Sequence, residues 1–448
     1  PPPLSLSMPL QKKVVRLTLL LTFGISMLFV SCIEEPVDSL IDAPQSEIIS
    51  ENLTQQEFEL NLVKLSLLFG EVFKDPIAQE ELFSFSRLDQ NSGSIEINLK
   101  SLFEQEMNPG SRKKSEIVNA FQKYKDPNAR IDSDLKIDEL ISFIIDNAIS
   151  ILAPYLGEDF SGSELKELTV SWWTEEFEEE HMAKDEDWAG QTKGIRIPFT
   201  NGRADFKTAS EVLSDGFFLV GDDWAQSNPT IVLGSFPVKE TNSKAKMDSN
   251  SSRISGAPVA LCDATNKSTQ SIVVRMPAFR LEDNIAPWPK DNYIYLWVGF
   301  AGGVTFGPNG LPTLTPNINL VMSGQSGKIT RKEARIQRWK TVQSAFIISN
   351  WNPEADNMYL VWGYEKRNST IDYTGALKAT KDGVSAENSF KIAERDEIRL
   401  ISALSFDKCF TIRNNVSGID QGWGFYSGTT LPRYPFGEIR AYFTLETL

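Results

Sequence analysis

The sequence predicts a multi-domain α+β protein in which a small helical N-terminal domain precedes a β-sandwich-type region. Three observations lead there. Apolar residues recur at helical spacing from about Thr54 to Gly157. From about Leu168 the period drops to two, in short runs rich in Val, Ile, Trp, Tyr and Phe between Gly, Pro, Asn and Asp clusters. The length of 448 residues suits two or three domains.

In the helical part, Thr54-Gln55-Gln56-Glu57 is a capping-box signature. Phe58, Leu62, Leu65, Phe69, Val72 and Phe73 follow at helical spacing until Asp75-Pro76 stops the run. A second strong helix is expected from Lys136 to Leu152, on the stripe Ile137, Leu140, Ile141, Ile144, Ile145, Ala148 and Leu152. Shorter helices are expected near 77–84, 96–106 and 115–124. In the second part, strands are expected at Leu168–Trp173, Gly194–Phe199, Thr230–Phe236, Ser271–Met276, Tyr293–Val298, Ile318–Met322, Ala345–Ile348, Met358–Tyr364, Ile398–Leu404 and Glu438–Leu445. So many short strands with few helices indicate a sandwich. The polar stretch 241–256 reads as a linker or long loop. The expected organisation is a helical domain at 53–165, a small β region at 166–240, that linker, and a β-sandwich at 257–448.

Composition narrows the function. The net charge is −15, which argues against nucleic acid as a partner, because binding phosphate takes clustered cations. A single histidine, His181, leaves little room for His-rich zinc sites or a histidine triad. No GxSxG elbow occurs, and Gly324-Gln325-Ser326-Gly327-Lys328 lacks the spacing of a phosphate-cradling loop. Cys262 and Cys409 fit either one disulfide or, the preferred reading, two small buried thiols.

The N-terminus carries an address. Met8 is the expected start, followed by Lys12, Lys13 and Arg16 and then fourteen uncharged residues from Leu17 to Val30. That run would rise only about 21 Å as a helix, short of a bilayer span, so residues 1–31 read as a signal peptide. Phe29-Val30-Ser31-Cys32 resembles a bacterial lipobox, which implies acyl chains on Cys32, with Phe29 standing where Leu is usual. Removing 1–31 takes away three cations and no acid, leaving −18. Residues 32–52 then read as a lipidated tether, and acyl chains at about 0.8 kcal/mol per buried methylene hold such a protein on a membrane.

Two candidate sites stand out. Residues 175–187 carry eight acids and one Lys, a net charge of −7. Glu178, Glu180, Asp185 and Asp187 are the candidate metal ligands, calcium being the cation that favours several oxygens. The same run could hold a carboxylate pair for sugar hydrolysis. A solvated charged loop is the preferred reading, since calcium loops usually space their acids with turn residues. Asp132, Ser133 and Asp134 fail the EF-hand pattern, with Ile137 and Phe143 where Gly and Glu are needed. The second candidate is aromatic. Trp423, Phe425, Tyr426 and Tyr434 are the residues picked out to stack on a glycan or anchor an envelope protein, against the commoner fate of aromatics in a sandwich core.

The lipobox, the stretch Asp75–Leu102 ending in Ser94-Ile95-Glu96-Ile97-Asn98-Leu99, and Ala225–Leu233 together resemble uncharacterised lipoproteins of Bacteroidota. Glu34 and Glu35 are similar to the acidic signal that sends such proteins to the cell surface. Met358–Glu365 is similar to a strand ending in Tyr-Glu in C2-like sandwiches, where a calcium-binding acid follows. Here Lys366 and Arg367 follow instead. The resemblance implies an outer-membrane, lipid-anchored location and no known activity. The leading expectation is a non-enzymatic binding or scaffold protein without a cofactor. A glycan-binding or glycan-processing surface protein and a calcium-stabilised adhesion module are the alternatives.

Overall fold

Thr54 opens the first helix with a complete capping box. Its hydroxyl accepts from the Glu57 amide at 3.3 Å, and the Glu57 carboxylate accepts from the Thr54 amide at 3.0 Å. Helix α1 (Gln55–Val72) buries Leu62, Leu65, Phe69 and Val72 and ends ahead of Asp75-Pro76, as predicted. The computed structural model describes residues 53–88, 95–107, 115–126, 136–160, 165–199, 208–236, 270–342, 346–394, 397–417, 423–426 and 429–448. The signal segment, Cys32, the tether, the 132–134 motif, the 241–256 linker and Cys262 lie outside the described residues. Leu53–Leu448 forms one compact unit.

Helices α2 (Pro76–Leu88), α3 (Leu99–Met107), α4 (Glu116–Gln122) and α5 (Ile137–Asp146) follow, with a single turn α6 (Leu156–Asp159) and α7 (Glu175–Lys184). Strands run between them: β1 (Ile95–Asn98), β2 (Ser150–Ala153), β3 (Glu167–Trp172), β4 (Thr192–Pro198), β5 (Phe218–Val220) and β6 (Thr230–Gly234). They form one mixed sheet of order β1-β2-β6-β3-β4-β5, in which β3 and β6 are parallel. Segments 53–165 and 166–240, expected as separate helical and β regions, therefore share a sheet and a core that reaches from Leu62 to Leu233. The helix expected to reach Leu152 stops at Asp146. The Asn147 side-chain amide donates to the Phe143 carbonyl at 2.9 Å, Ala148 turns the chain with φ +48°, and Ile151 and Leu152 pair with β6. A short apolar run fits either period, and here the ladder to β6 decides. Glu59 on α1 ties helix to sheet, accepting from Trp172 Nε1 at 3.0 Å and Lys193 Nζ at 2.8 Å.

The C-terminal strands are β7 (Ile272–Leu281), β8 (Asn292–Phe306), β9 (Pro312–Met322), β10 (Lys328–Ile329), β11 (Lys340–Thr341), β12 (Phe346–Trp351), β13 (Asn357–Glu365), β14 (Ile371–Lys381), β15 (Val384–Glu394), β16 (Ile398–Asp407), β17 (Trp423–Tyr426), β18 (Thr429–Phe436) and β19 (Ile439–Thr447). One sheet has the order β10-β8-β13-β16, with β9 also on β8. The other has the order β11-β7-β19-β18-β17, with β12 also on β7. They meet around the fully buried Trp362, whose ring lies 5.9 Å from Phe279 and 5.4 Å from Phe436. The hairpin β14–β15 covers the opposite face of β8 and β13, with Phe390 5.2 Å from Tyr359. A sheet covered on both faces has no polar side, so β13 reads as an almost unbroken apolar run.

Cys409, expected as a free buried thiol, is disulfide-bonded, and its partner lies outside the described residues. The neighbouring Lys408 is buried and donates to the carbonyls of Gln270 (3.2 Å), Trp351 (3.2 Å) and Asn352 (2.8 Å). Burial pushes its pKa down to about 8, against a partial opposing pull from Asp356. The unfolded chain keeps that proton to about pH 10.4. Between these values the unfolded state binds more protons, so stability rises with pH through this group. Relative to Lys408→Met, the wild-type chain should gain up to about 3 kcal/mol from pH 8 to pH 10.5, read from urea unfolding midpoints of both proteins.

Candidate functional site: the junction between the lobes

An N-terminal lobe (53–236) meets a C-terminal lobe (270–448) at the loop joining β7 to β8. The buried Asn292 shapes that loop. Its Oδ1 accepts from the Ile285 and Ala286 amides, both at 3.0 Å, and its Nδ2 donates to Asn284 Oδ1 at 3.0 Å and the Ile329 carbonyl at 3.2 Å. All four hydrogen-bonding directions of the amide are used. The loop presents Trp288 to the N-terminal lobe, where it joins Tyr155, Trp173, Val220, Ala225 and Val232 in a separate apolar cluster. Trp288 Nε1 donates to Thr192 Oγ1 at 3.2 Å, and its backbone amide donates to the Ala189 carbonyl at 2.8 Å. Gly190 makes this approach feasible. Its φ is +88°, and a Cβ there would lie 2.1 Å from the Trp288 backbone nitrogen.

Arg331 sits beneath the tryptophan, itself buried. Its guanidinium lies 5.6 Å from the Trp288 ring centroid and donates to Asp222 Oδ1, to the Ala286 carbonyl at 2.8 Å and to the Lys290 carbonyl at 3.0 Å. The Tyr155 hydroxyl donates to the same Asp222 oxygen at 2.8 Å. Burial and the Asp222 charge push the Tyr155 pKa up, so the phenol keeps its proton and remains a donor.

Ion pairs surround this plug: Glu96–Lys328, Asp159–Lys332, Glu175–Arg367, Glu178–Lys290, Glu179–Arg367, Asp187–Arg399 and Asp222–Arg331. In these pairs the acid belongs to the N-terminal lobe and the base to the C-terminal lobe. Burial works against the charge of Lys328, but Asp291, Tyr293 and Glu96 override it and hold its pKa up.

The run 175–187, expected as a solvated loop, is mainly the helix α7, capped by Thr174, whose hydroxyl accepts from the Phe177 amide. The four candidate metal ligands have separate protein partners. Glu178, 1% exposed, accepts from Trp173 Nε1 at 2.6 Å and Lys290 Nζ at 2.8 Å. Glu180 pairs with Lys184 at 2.7 Å, Asp185 accepts from the Asp187 amide at 3.0 Å, and Asp187 pairs with Arg399 at 3.2 Å. Among the described residues no group of three or more His, Cys, Asp or Glu side chains is placed to hold a metal. Lys366 and Arg367, standing where a C2-like strand would carry its acid, face the acidic helix instead. Lys366 Nζ donates to the Glu186 carbonyl, and Arg367 pairs with Glu175 and Glu179. The lone His181 lies behind Trp188, ring centroids 5.0 Å apart.

The aromatic candidates separate. Tyr434 is 2% exposed and packs in the sandwich core against Phe406 and Phe443, so it is not a surface platform. Its alternation along β18 turns it inward. Trp423, Phe425 and Tyr426 lie on β17, whose backbone pairs with β18, and their side chains are outside the described residues.

Two cavities flank the β7–β8 loop and share Ala286, Pro287 and Lys366 in their walls. One, of about 380 Å³, is lined by Trp173, Phe236, Tyr293, Glu178 and Glu365 among others. The second, of about 560 Å³, is lined by Trp188, Trp224, Tyr364, Asp222, Asp223 and Asp283 among others. Both volumes suit small ligands. Sequence reading did not single out this region, because its walls come from segments far apart in the chain and Arg331 reads as one cation among many.

Gly190→Ala combines a left-handed backbone with a backbone collision, and should destabilise the protein by about 2–4 kcal/mol in thermal unfolding. Arg331→Met leaves Asp222 without its counter-charge and two carbonyls without this donor and should cost about 3–5 kcal/mol in urea unfolding, against under about 1 kcal/mol for Arg399→Met at the exposed Asp187.

Compared with family models, curated proteins and solved structures, the chain matches none.

Proposed function

We propose that the chain is an exported lipoprotein, held in the outer membrane by acyl chains on Cys32, that acts as a non-enzymatic binding or scaffold protein at the cell envelope. The observation that carries the anchoring is Phe29-Val30-Ser31-Cys32 directly after a charged n-region and a short apolar segment. The resemblance to Bacteroidota lipoproteins supports the same location.

The binding role rests on the junction. The acids that could have formed a catalytic pair or a calcium site are engaged by Trp173, Lys290, Lys184 and Arg399, which favours a structural use of α7 over the calcium-stabilised adhesion reading. What the junction leaves open is two cavities between lobes joined by a buried plug. Such an arrangement presents a preformed site on a stiff support, which suits binding without chemistry.

Cys32→Ser should move the protein from the membrane to the soluble fraction on fractionation. The wild-type N-terminal peptide should carry the mass of attached acyl chains. A wild-type chain that stays soluble with an unmodified Cys32 would overturn the anchoring.

A further inference from the structure

We propose that the larger junction cavity, of about 560 Å³, is a saccharide-binding site for a neutral, polyhydroxylated ligand. The inference rests on the reading of the chain as a binding protein and adds the class of ligand and its place. That place differs from the Trp423 strand, which the sequence alone singles out.

The wall combines what a sugar ring needs. Trp188 is half-buried, with His181 packed against it, and Trp224 and Tyr364 line the same cavity. Aromatic rings offer apolar faces to the C–H side of a pyranose. Asp223 and Asp283 are exposed and line the cavity, beside Gln191 and Asn284. Carboxylates accept from hydroxyls, and side-chain amides both donate and accept, so the set matches groups that are donor and acceptor at once.

Charge selects against the other ligand classes. Asp222 is paired with Arg331 and Asp187 with Arg399; Lys366 in the wall offsets one of the two exposed acids, Asp223 and Asp283, and the remaining sign is negative. An anion would face Asp223 and Asp283 directly. A divalent cation wants several convergent oxygens, and no such group exists among the described residues. A lipid tail would leave the acids of the wall without hydrogen-bonding partners.

The test uses the full-length chain in detergent, titrated by calorimetry with short neutral oligosaccharides of glucose, mannose, galactose and xylose, and separately with calcium chloride. At least one sugar should bind and raise the melting temperature. Asp223→Asn with Asp283→Asn, both at exposed positions, should weaken it about tenfold or more without changing the sugar-free melting temperature. Trp188→Ala should abolish binding, and Trp188→Phe, which retains a ring against His181, should restore part of it. The proposal is overturned if no sugar binds at about 10 mM, if binding survives both the double Asp variant and Trp188→Ala, or if only calcium shifts the melting temperature. Cys32 acylation, followed on the same preparations, reports on the anchoring separately, so loss of the saccharide site leaves that reading standing.

Discussion

Trp288 seated in the N-terminal lobe, over Arg331 and against Gly190, is the constraint on which the rest of the junction depends. Burying an indole removes roughly 150–250 Å² from water, worth about 4–6 kcal/mol at the usual coefficient. The exposed pair Asp187–Arg399 contributes under about 1 kcal/mol. The plug therefore outweighs such an exposed pair, and the ring of charges fixes how the lobes are turned against one another. Arg331 couples the two effects, since its guanidinium lies 5.6 Å from the indole centroid and donates to Asp222 and two loop carbonyls at once.

The acidic segment 175–187 shows how a charge run changes meaning with its surroundings. In isolation it would repel itself. In the fold, the segment lies where the C-terminal lobe presents Lys290, Lys366, Arg367 and Arg399. Glu178 is the extreme case, a carboxylate almost without exposure that accepts from an ammonium and an indole N–H. A buried pair of this kind adds little net stability over an apolar pair, but removing one partner is costly, so it specifies one docking geometry.

The cavities follow from the same geometry. A loop stiffened by Asn292 enters the facing lobe without filling the space on either side of it, and the walls come from segments far apart in the chain. Those walls hold position because Trp288 and Arg331 hold the loop.

By itself the sequence determined the division into a helix-containing N-terminal part and a β-rich C-terminal part, the capping box at Thr54, and strands such as β7, β8, β13 and β19. These are local properties: capping chemistry and hydrophobic period act over a few residues. The hairpin β14–β15 was within reach too, because Asp382-Gly383 carries the left-handed angles of a tight turn. Tertiary structure alone decided that Ile151 belongs to a sheet and not a helix, that Tyr434 faces inward, that Cys409 is bonded, and that the acids of α7 meet cations more than a hundred residues away. The physical reason is common to all four. Backbone ladders, cross-chain bonds and ion pairs between distant residues depend on which surfaces meet, and no local period records that.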